Sequence, residues 1–135
     1  MQELPVEIWE LTNLQSLNLY DNQLRGLPVE IGELTNLQTL DLSDNQLQVL
    51  PAEIGKLTNL HWLNISGNLL QALPAEIGQL INLQDLNLYN NPLQRFPRSV
   101  ARLSEKLFED FPALYATARE EYMKYRPVKF AGKKS

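Results

Sequence analysis

Any chemistry in this chain would have to be assembled from few parts. His61 is the only histidine and cysteine is absent, which removes disulfides, thiol nucleophiles and thiolate metal sites. A lone imidazole on a strand is an ordinary solvent-facing polar residue. No serine or threonine pairs with it and an acid by spacing, so hydrolytic catalysis has no support. Four glutamates, Glu7, Glu30, Glu53 and Glu76, recur at one fixed interval, the regularity expected of a metal or anion ladder. Each falls in the first turn of a short helical arm, where carboxylates complement the N-terminal dipole, and that accounts for the ladder without a ligand. Asp41 and Asp44 lack the ligand-loop spacing of a calcium site, and no glycine-rich phosphate loop occurs. The sequence therefore points to no catalytic residue, no cofactor and no metal. What it offers instead is surface chemistry, from a tryptophan, several tyrosines and many carboxylates.

A repeat must position those groups. Leu-Pro-x-Glu-Ile begins at Leu4, Leu27, Leu50 and Leu73, 23 residues apart, and each copy runs on through Leu-x-x-Leu-x-Leu/Ile-x-x-Asn-x-Leu. In the first copy that run is Leu14, Leu17, Leu19, Asn22, Leu24, and in the third Leu60, Leu63, Ile65, Asn68, Leu70. A fixed period in this range marks a solenoid, in which no unit buries its apolar face alone. The alternation Leu-x-Leu specifies a short strand with leucines on one side and polar residues on the other. Strands one period apart share a direction, so they are expected to form a parallel sheet. Asn22, Asn45, Asn68 and Asn91 follow the strands, where a side-chain amide can satisfy backbone groups left unpaired by the turn. On the return arm, Pro5, Pro28, Pro51 and Pro74 fix the entry to a helical turn. Gly32, Gly55 and Gly78 favour a short 3₁₀ or α turn over a long helix.

These residues resemble the leucine-rich repeat family, specifically its 23-residue class, which includes bacterial repeat proteins and the Ras-linked intracellular proteins of plants and animals. The resemblance covers residues 4 to about 103, and a partial fifth copy is visible in Phe96, Pro97, Val100 and Leu103. It implies an α/β fold: a curved solenoid with a parallel concave β-sheet and short 3₁₀/α turns on the convex side. It also implies protein binding on the concave face and no chemistry. Bacterial ubiquitin-ligase effectors with similar repeats act through a cysteine, which this chain lacks.

The organisation expected is a solenoid over residues 1–103, a helical C-terminal cap over 104–126 and a basic, disordered tail over 127–135. The cap follows from apolar residues at helical spacing, Leu103, Leu107, Phe111, Leu114, Ala118 and Tyr122. Pro112 divides them into two helices, with Asp110 as the cap of the second. Phe108, Phe111 and Leu114 are the candidate plug over the last repeat. At the other end no cap precedes Leu4, and Trp9 replaces the glycine of the other copies. Either Trp9 and the leading residues shield a small edge, or this end packs on something else. An open parallel edge invites self-association.

With the family's inward set fixed, the outward positions form columns. These are Ser16, Thr39, Trp62, Asp85; then Asn18, Asp41, Asn64, Asn87; then Tyr20, Ser43, Ser66, Tyr89; then Asp21, Asp44, Gly67, Asn90. Trp62 departs from its column, and His61 stands where the other copies have glutamine. A displayed tryptophan flanked by tyrosines and carboxylates suits a binding hot spot. Gly67 beside it is expected to leave room for an incoming side chain. The alternative is that Trp62 only packs on Thr39 and Asp85 across the strands. The partner-binding set is Trp62, His61, Tyr20, Tyr89, Asp41, Asp44, Asp85, Asn64 and Asn87.

Charge supports a basic protein partner. Residues 1–93 hold eleven acids against Arg25 and Lys56, and residues 94–135 hold ten bases against five acids, for a net charge of −4. Arg95, Arg98, Arg102 and Lys106 are spaced to share one helical face, and Lys124, Arg126, Lys129, Lys133 and Lys134 continue the basic character. Nucleic acid is disfavoured, because the neighbouring aromatics serve the core and the acidic repeats repel a duplex. No signal peptide or apolar spanning run is present, so a cytoplasmic setting is expected, or secretion if a leader has been removed. The resulting reading is a non-enzymatic protein–protein interaction scaffold. Two alternatives stand beside it: a targeting or regulatory fragment of a larger signalling or effector protein, and a carbohydrate or cell-envelope binder using Trp62, Tyr20 and Tyr89.

Overall fold

The structure is a computed structural model that describes residues 4–125. Its frame is four three-residue strands, β1 (Ser16–Asn18), β2 (Thr39–Asp41), β3 (Trp62–Asn64) and β4 (Asp85–Asn87). They lie side by side in sequence order, all parallel, with Ser16, Thr39, Trp62 and Asp85 in register. The middle residues Leu17, Leu40 and Leu63 are buried beneath the sheet. Leu86, on the last strand, is only half-buried.

The chain returns through five single 3₁₀ turns, Val6–Glu10, Val29–Glu33, Ala52–Lys56, Ala75–Gln79 and Arg98–Arg102. Each is entered through a proline with φ between −64° and −72° and extended ψ, as a ring-locked residue at a helix start requires. The glycines in these turns are there for close approach. A Cβ on Gly55 would lie 2.8 Å from the Glu76 carbonyl oxygen, and one on Gly78 would lie 2.6 Å from that of Ser99. Successive turns therefore stack backbone to backbone. In the first turn Trp9 takes the glycine's place and is buried, and the first two turns pack less closely than the later pairs. The result is a cleft of about 850 Å³ lined by Val6, Trp9, Leu27, Pro28 and Glu30 among others. Trp9 thus shields the core at this end, and among the described residues β1 has a strand neighbour on one side only.

Two ladders of asparagine side chains lock the repeats. Asn68 donates through Nδ2 to the carbonyls of Ile65, of Ser66 and, one repeat back, of Leu42; its Oδ1 accepts from the Leu47 N–H. Asn45 and Asn91 do the same in their own repeats. This is the role their position after each strand predicts. The second ladder was not anticipated. Asn36, Asn59 and Asn82 donate to the carbonyls of Thr12, Thr35 and Thr58 in the preceding repeat, at 2.8, 3.0 and 2.7 Å. Its sequence signal is the recurrent Thr-Asn-Leu or Ile-Asn-Leu before each strand. No buried side-chain N or O atom among the described residues lacks a hydrogen bond.

Beyond Leu103 the chain makes a further 3₁₀ turn, Glu105–Phe108, and one α-helix, α1 (Pro112–Tyr125). Two helices were expected; the first proves to be a single 3₁₀ turn, capped by the Ser104 hydroxyl accepting from the Lys106 N–H. Pro112 does open the helix. Asp110 does not cap it: the first helical bond runs from the Tyr115 N–H to the Phe111 carbonyl, so Phe111 is the boundary residue. The plug is aromatic. Phe96 meets Phe108 and Phe111 edge to face at 5.3 and 5.9 Å, and Phe108 stacks on Tyr115 at 5.2 Å. Phe108 and Tyr115 are buried, while Phe111 and Leu114 are only partly so. The expected tail, and with it Arg126, Lys129, Lys133 and Lys134, lies outside the described residues.

Candidate interaction surface

The strand faces set out the expected columns. In the first, the Thr39 hydroxyl donates to the Ser16 hydroxyl at 2.7 Å, and the next two places are Trp62 and Asp85, in direct register. Trp62 keeps 36% of its surface exposed, so its indole is displayed rather than consumed by Thr39 and Asp85. Neighbouring strands lie ~4.8 Å apart, which brings the Asp85 carboxylate beside the ring.

The second column serves the fold first. The Asp41 carboxylate accepts from the Ser43 N–H at 2.9 Å and the Ser43 hydroxyl at 2.5 Å. Asn64 treats Ser66 in the same way. Asn18 and Asn87 accept from the N–H groups of Tyr20 and Tyr89. These side chains hold the bend that ends each strand. Asp41, Asn64 and Asn87 are therefore already engaged, and Ser43 is buried by its bond. Tyrosine cannot fold back in this way, so Tyr20 and Tyr89 stand out from the surface.

The fourth column is left-handed: Asp21, Asp44, Gly67 and Asn90 have φ between 56° and 68°. Gly67 leaves no vacancy, contrary to expectation. A Cβ there would lie 2.1 Å from Asp44 Oδ1, so the neighbouring carboxylate already fills the place. Among the described residues the Asp21, Asp44, Asp85 and Asp110 carboxylates have no hydrogen-bond or ion-pair partner. Those are the charges available to a partner.

A pocket opens on this face. It has a volume of about 370 Å³ and is lined by Trp62, Asp85, Leu86, Asn87, Tyr89 and Asp110. Asp110 was missed as a surface residue because it was assigned to the helix start. Its signal was in the repeat all the same, since it lies 23 residues after Asn87. The structure thus brings Trp62, Tyr89, Asp85 and Asn87 together. It leaves Tyr20 two strands from Trp62 and three from Tyr89, ~10 and ~14 Å by strand spacing. His61 is exposed just before β3 and does not line the pocket. The basic residues share no helical face: Arg95 precedes the turn Arg98–Arg102, Lys106 lies in the next turn, and Arg98 and Lys124 both sit over the Tyr125 ring.

The described residues contain no group of three or more His, Cys, Asp or Glu arranged to hold a metal ion, and no helix long and apolar enough to cross a membrane. A family model described as a leucine-rich repeat region matches residues 2–90, and a second, Leucine Rich Repeat, matches 82–112. None of the curated proteins matches the chain significantly. Among solved structures, a leucine-rich repeat protein of Leptospira interrogans superposes with a TM-score of 0.75 at 41% identity, over 86% of this chain and 33% of that one. A plant ice-binding protein gives 0.61 at 28% identity, over 75% and 34%. An internalin of Listeria monocytogenes gives 0.66 at 22% identity, over 78% and 29%, a likeness of fold alone. The chain spans about a third of the length of each.

Proposed function

Because the chain belongs to the leucine-rich repeat family, we propose that it is a non-enzymatic interaction module whose concave sheet takes a basic segment of another protein. Leucine-rich repeat proteins are commonly protein–protein interaction modules. The fold alone does not choose the ligand, since one structural relative is an ice-binding protein, so the surface must. The observation that carries the reading is Trp62, displayed on the sheet beside carboxylates that nothing else among the described residues engages. A large ring with two rotatable bonds contributes contact area at little entropic cost, and unpaired carboxylates select a cationic partner. The sugar-stacking alternative is weakened by geometry, because Tyr20 lies too far from Trp62 and Tyr89 to share one glycan ring.

Selection of random peptides on the immobilised protein tests this. Enrichment in Lys and Arg is expected. Affinity for the selected peptides should fall about thirtyfold with Trp62→Ala, equivalent to roughly 2 kcal/mol. It should also fall with Asp44→Asn, which keeps a side chain suited to the left-handed backbone there, and unfolding should be little changed in either variant. Selected peptides that are acidic or neutral, or indifferent to both substitutions, would overturn the reading.

A further inference from the structure

We infer that the gap between β4 and the cap is an arginine pocket, in which Trp62 and Tyr89 present aromatic faces and Asp85 and Asp110 present carboxylates to one guanidinium of the partner. The inference rests on the concave-face reading and gives that face an anchor point.

The pocket exists because the sheet stops. Leu19, Leu42 and Ile65 each donate a backbone N–H to the next strand, to the carbonyls of Asp41, Asn64 and Asn87 at 2.8 to 2.9 Å. Among the described residues the corresponding bond from Leu88 is absent and no fifth strand follows β4. The place one repeat after Asp85 is held by Phe108, which is buried in the core. The chain therefore crosses the end of the sheet without pairing to it, and the cap packs beside β4 through the turn Glu105–Phe108. Asp110, two residues later, lines the unfilled space together with Asp85 and Asn87 of β4. Leu86 is left half-buried as its apolar floor.

Four features select the occupant. The walls hold two carboxylates and no basic residue. Neither carboxylate has a partner among the described residues. Asp85 and Asp110 come from different elements, on either side of the gap, so a planar fork with donors on several edges can serve both, whereas an ammonium acts as a point charge. Trp62 and Tyr89 supply faces on which a guanidinium stacks, and Leu86 can take its methylenes.

The test uses N-acetyl-arginine amide as probe, with N-acetyl-citrulline amide as its uncharged isostere, on the ¹⁵N-labelled full chain. The Trp62 indole N–H, distinguished from that of Trp9 with a Trp62→Phe variant, is followed by NMR. A saturable shift with the arginine probe and none with citrulline is expected. The dissociation constant should rise roughly threefold or more in Asp110→Asn and again in Asp85→Asn. Glu30→Gln, in the return turn Val29–Glu33 away from the strand face, should leave it unchanged. No shift at Trp62, equal shifts from both probes, or indifference to Asp85 and Asp110 would overturn the pocket. If selected basic peptides still bind through Trp62 and Asp44, the concave-face reading survives and only the pocket fails. If neither binds, both fail.

Discussion

A single residue type performs opposite duties along this chain, and its hydrogen bonds decide which. Asn68 has its amide saturated by four backbone groups from two repeats and is buried. The Asn22 side-chain amide donates to one group among the described residues, the Tyr20 carbonyl. Truncation at position 68 strands several buried backbone groups, each worth ~1–3 kcal/mol when left unpaired. Asn68→Ala is therefore expected to destabilise by about 3 kcal/mol or more and Asn22→Ala by about 1, measured by urea unfolding. Gly67 offers a second test. Its positive φ costs an L-residue about 1 kcal/mol, and a Cβ there also meets Asp44 Oδ1. Gly67→Ala should therefore destabilise, and adding Asp44→Ala should recover the steric part but not the backbone part. Equal stability of the single and double variants would show that the carboxylate moves aside freely.

At the level of elements, the cap is the part with its own stability switch. Tyr115 is buried against Phe108 and its hydroxyl donates to the Leu103 carbonyl at 3.3 Å. Burial, helped by the Glu105 carboxylate and opposed by Arg119, raises its pKa above 10.0. The folded state thus favours the protonated phenol. That contribution is complete below pH 10 and is lost as pH rises through the folded-state value. Unfolding free energy should fall above about pH 10 by more in the wild type than in Tyr115→Phe, which itself should lose about 1 kcal/mol or less at neutral pH. Phe108→Ala, which empties the centre of the aromatic plug, should cost about 3–5 kcal/mol. A value below 1 would mean that the cap does not close the last repeat.

Across the whole molecule, stability is a chain of nearest-neighbour interfaces, so both ends matter. The C-terminal end is covered by α1, which packs on the turn Arg98–Arg102. At the other end, among the described residues, β1 has a strand neighbour on one side only, and Trp9 guards the core beneath it. Unpaired parallel edges recruit partners. A dilution series in sizing chromatography with light scattering should therefore give a mass that rises with concentration; a constant monomer mass would dismiss self-pairing. The charge asymmetry also acts at this scale. Binding of a basic peptide should weaken as salt is raised from 50 to 500 mM, mainly through a slower on-rate.

The period of 23, the parallel strands, their register and the outward position of Trp62 were legible in the residues alone. Each follows from local rules, of alternation, turn chemistry and proline placement, repeated four times. What the sequence could not apportion was competition for the same polar atoms. Asp41 and Asp44 read alike as acids, yet one is spent on Ser43 and the other is free, because only the folded bend decides which oxygen meets which N–H. The space beside Gly67 looked open until its neighbour's carboxylate filled it. Asp110 reads as a helix cap, but the helix begins two residues later and Asp110 lines the pocket it shares with Trp62. Contacts between a repeat and a non-repeating cap obey no period, so only the tertiary structure could place them.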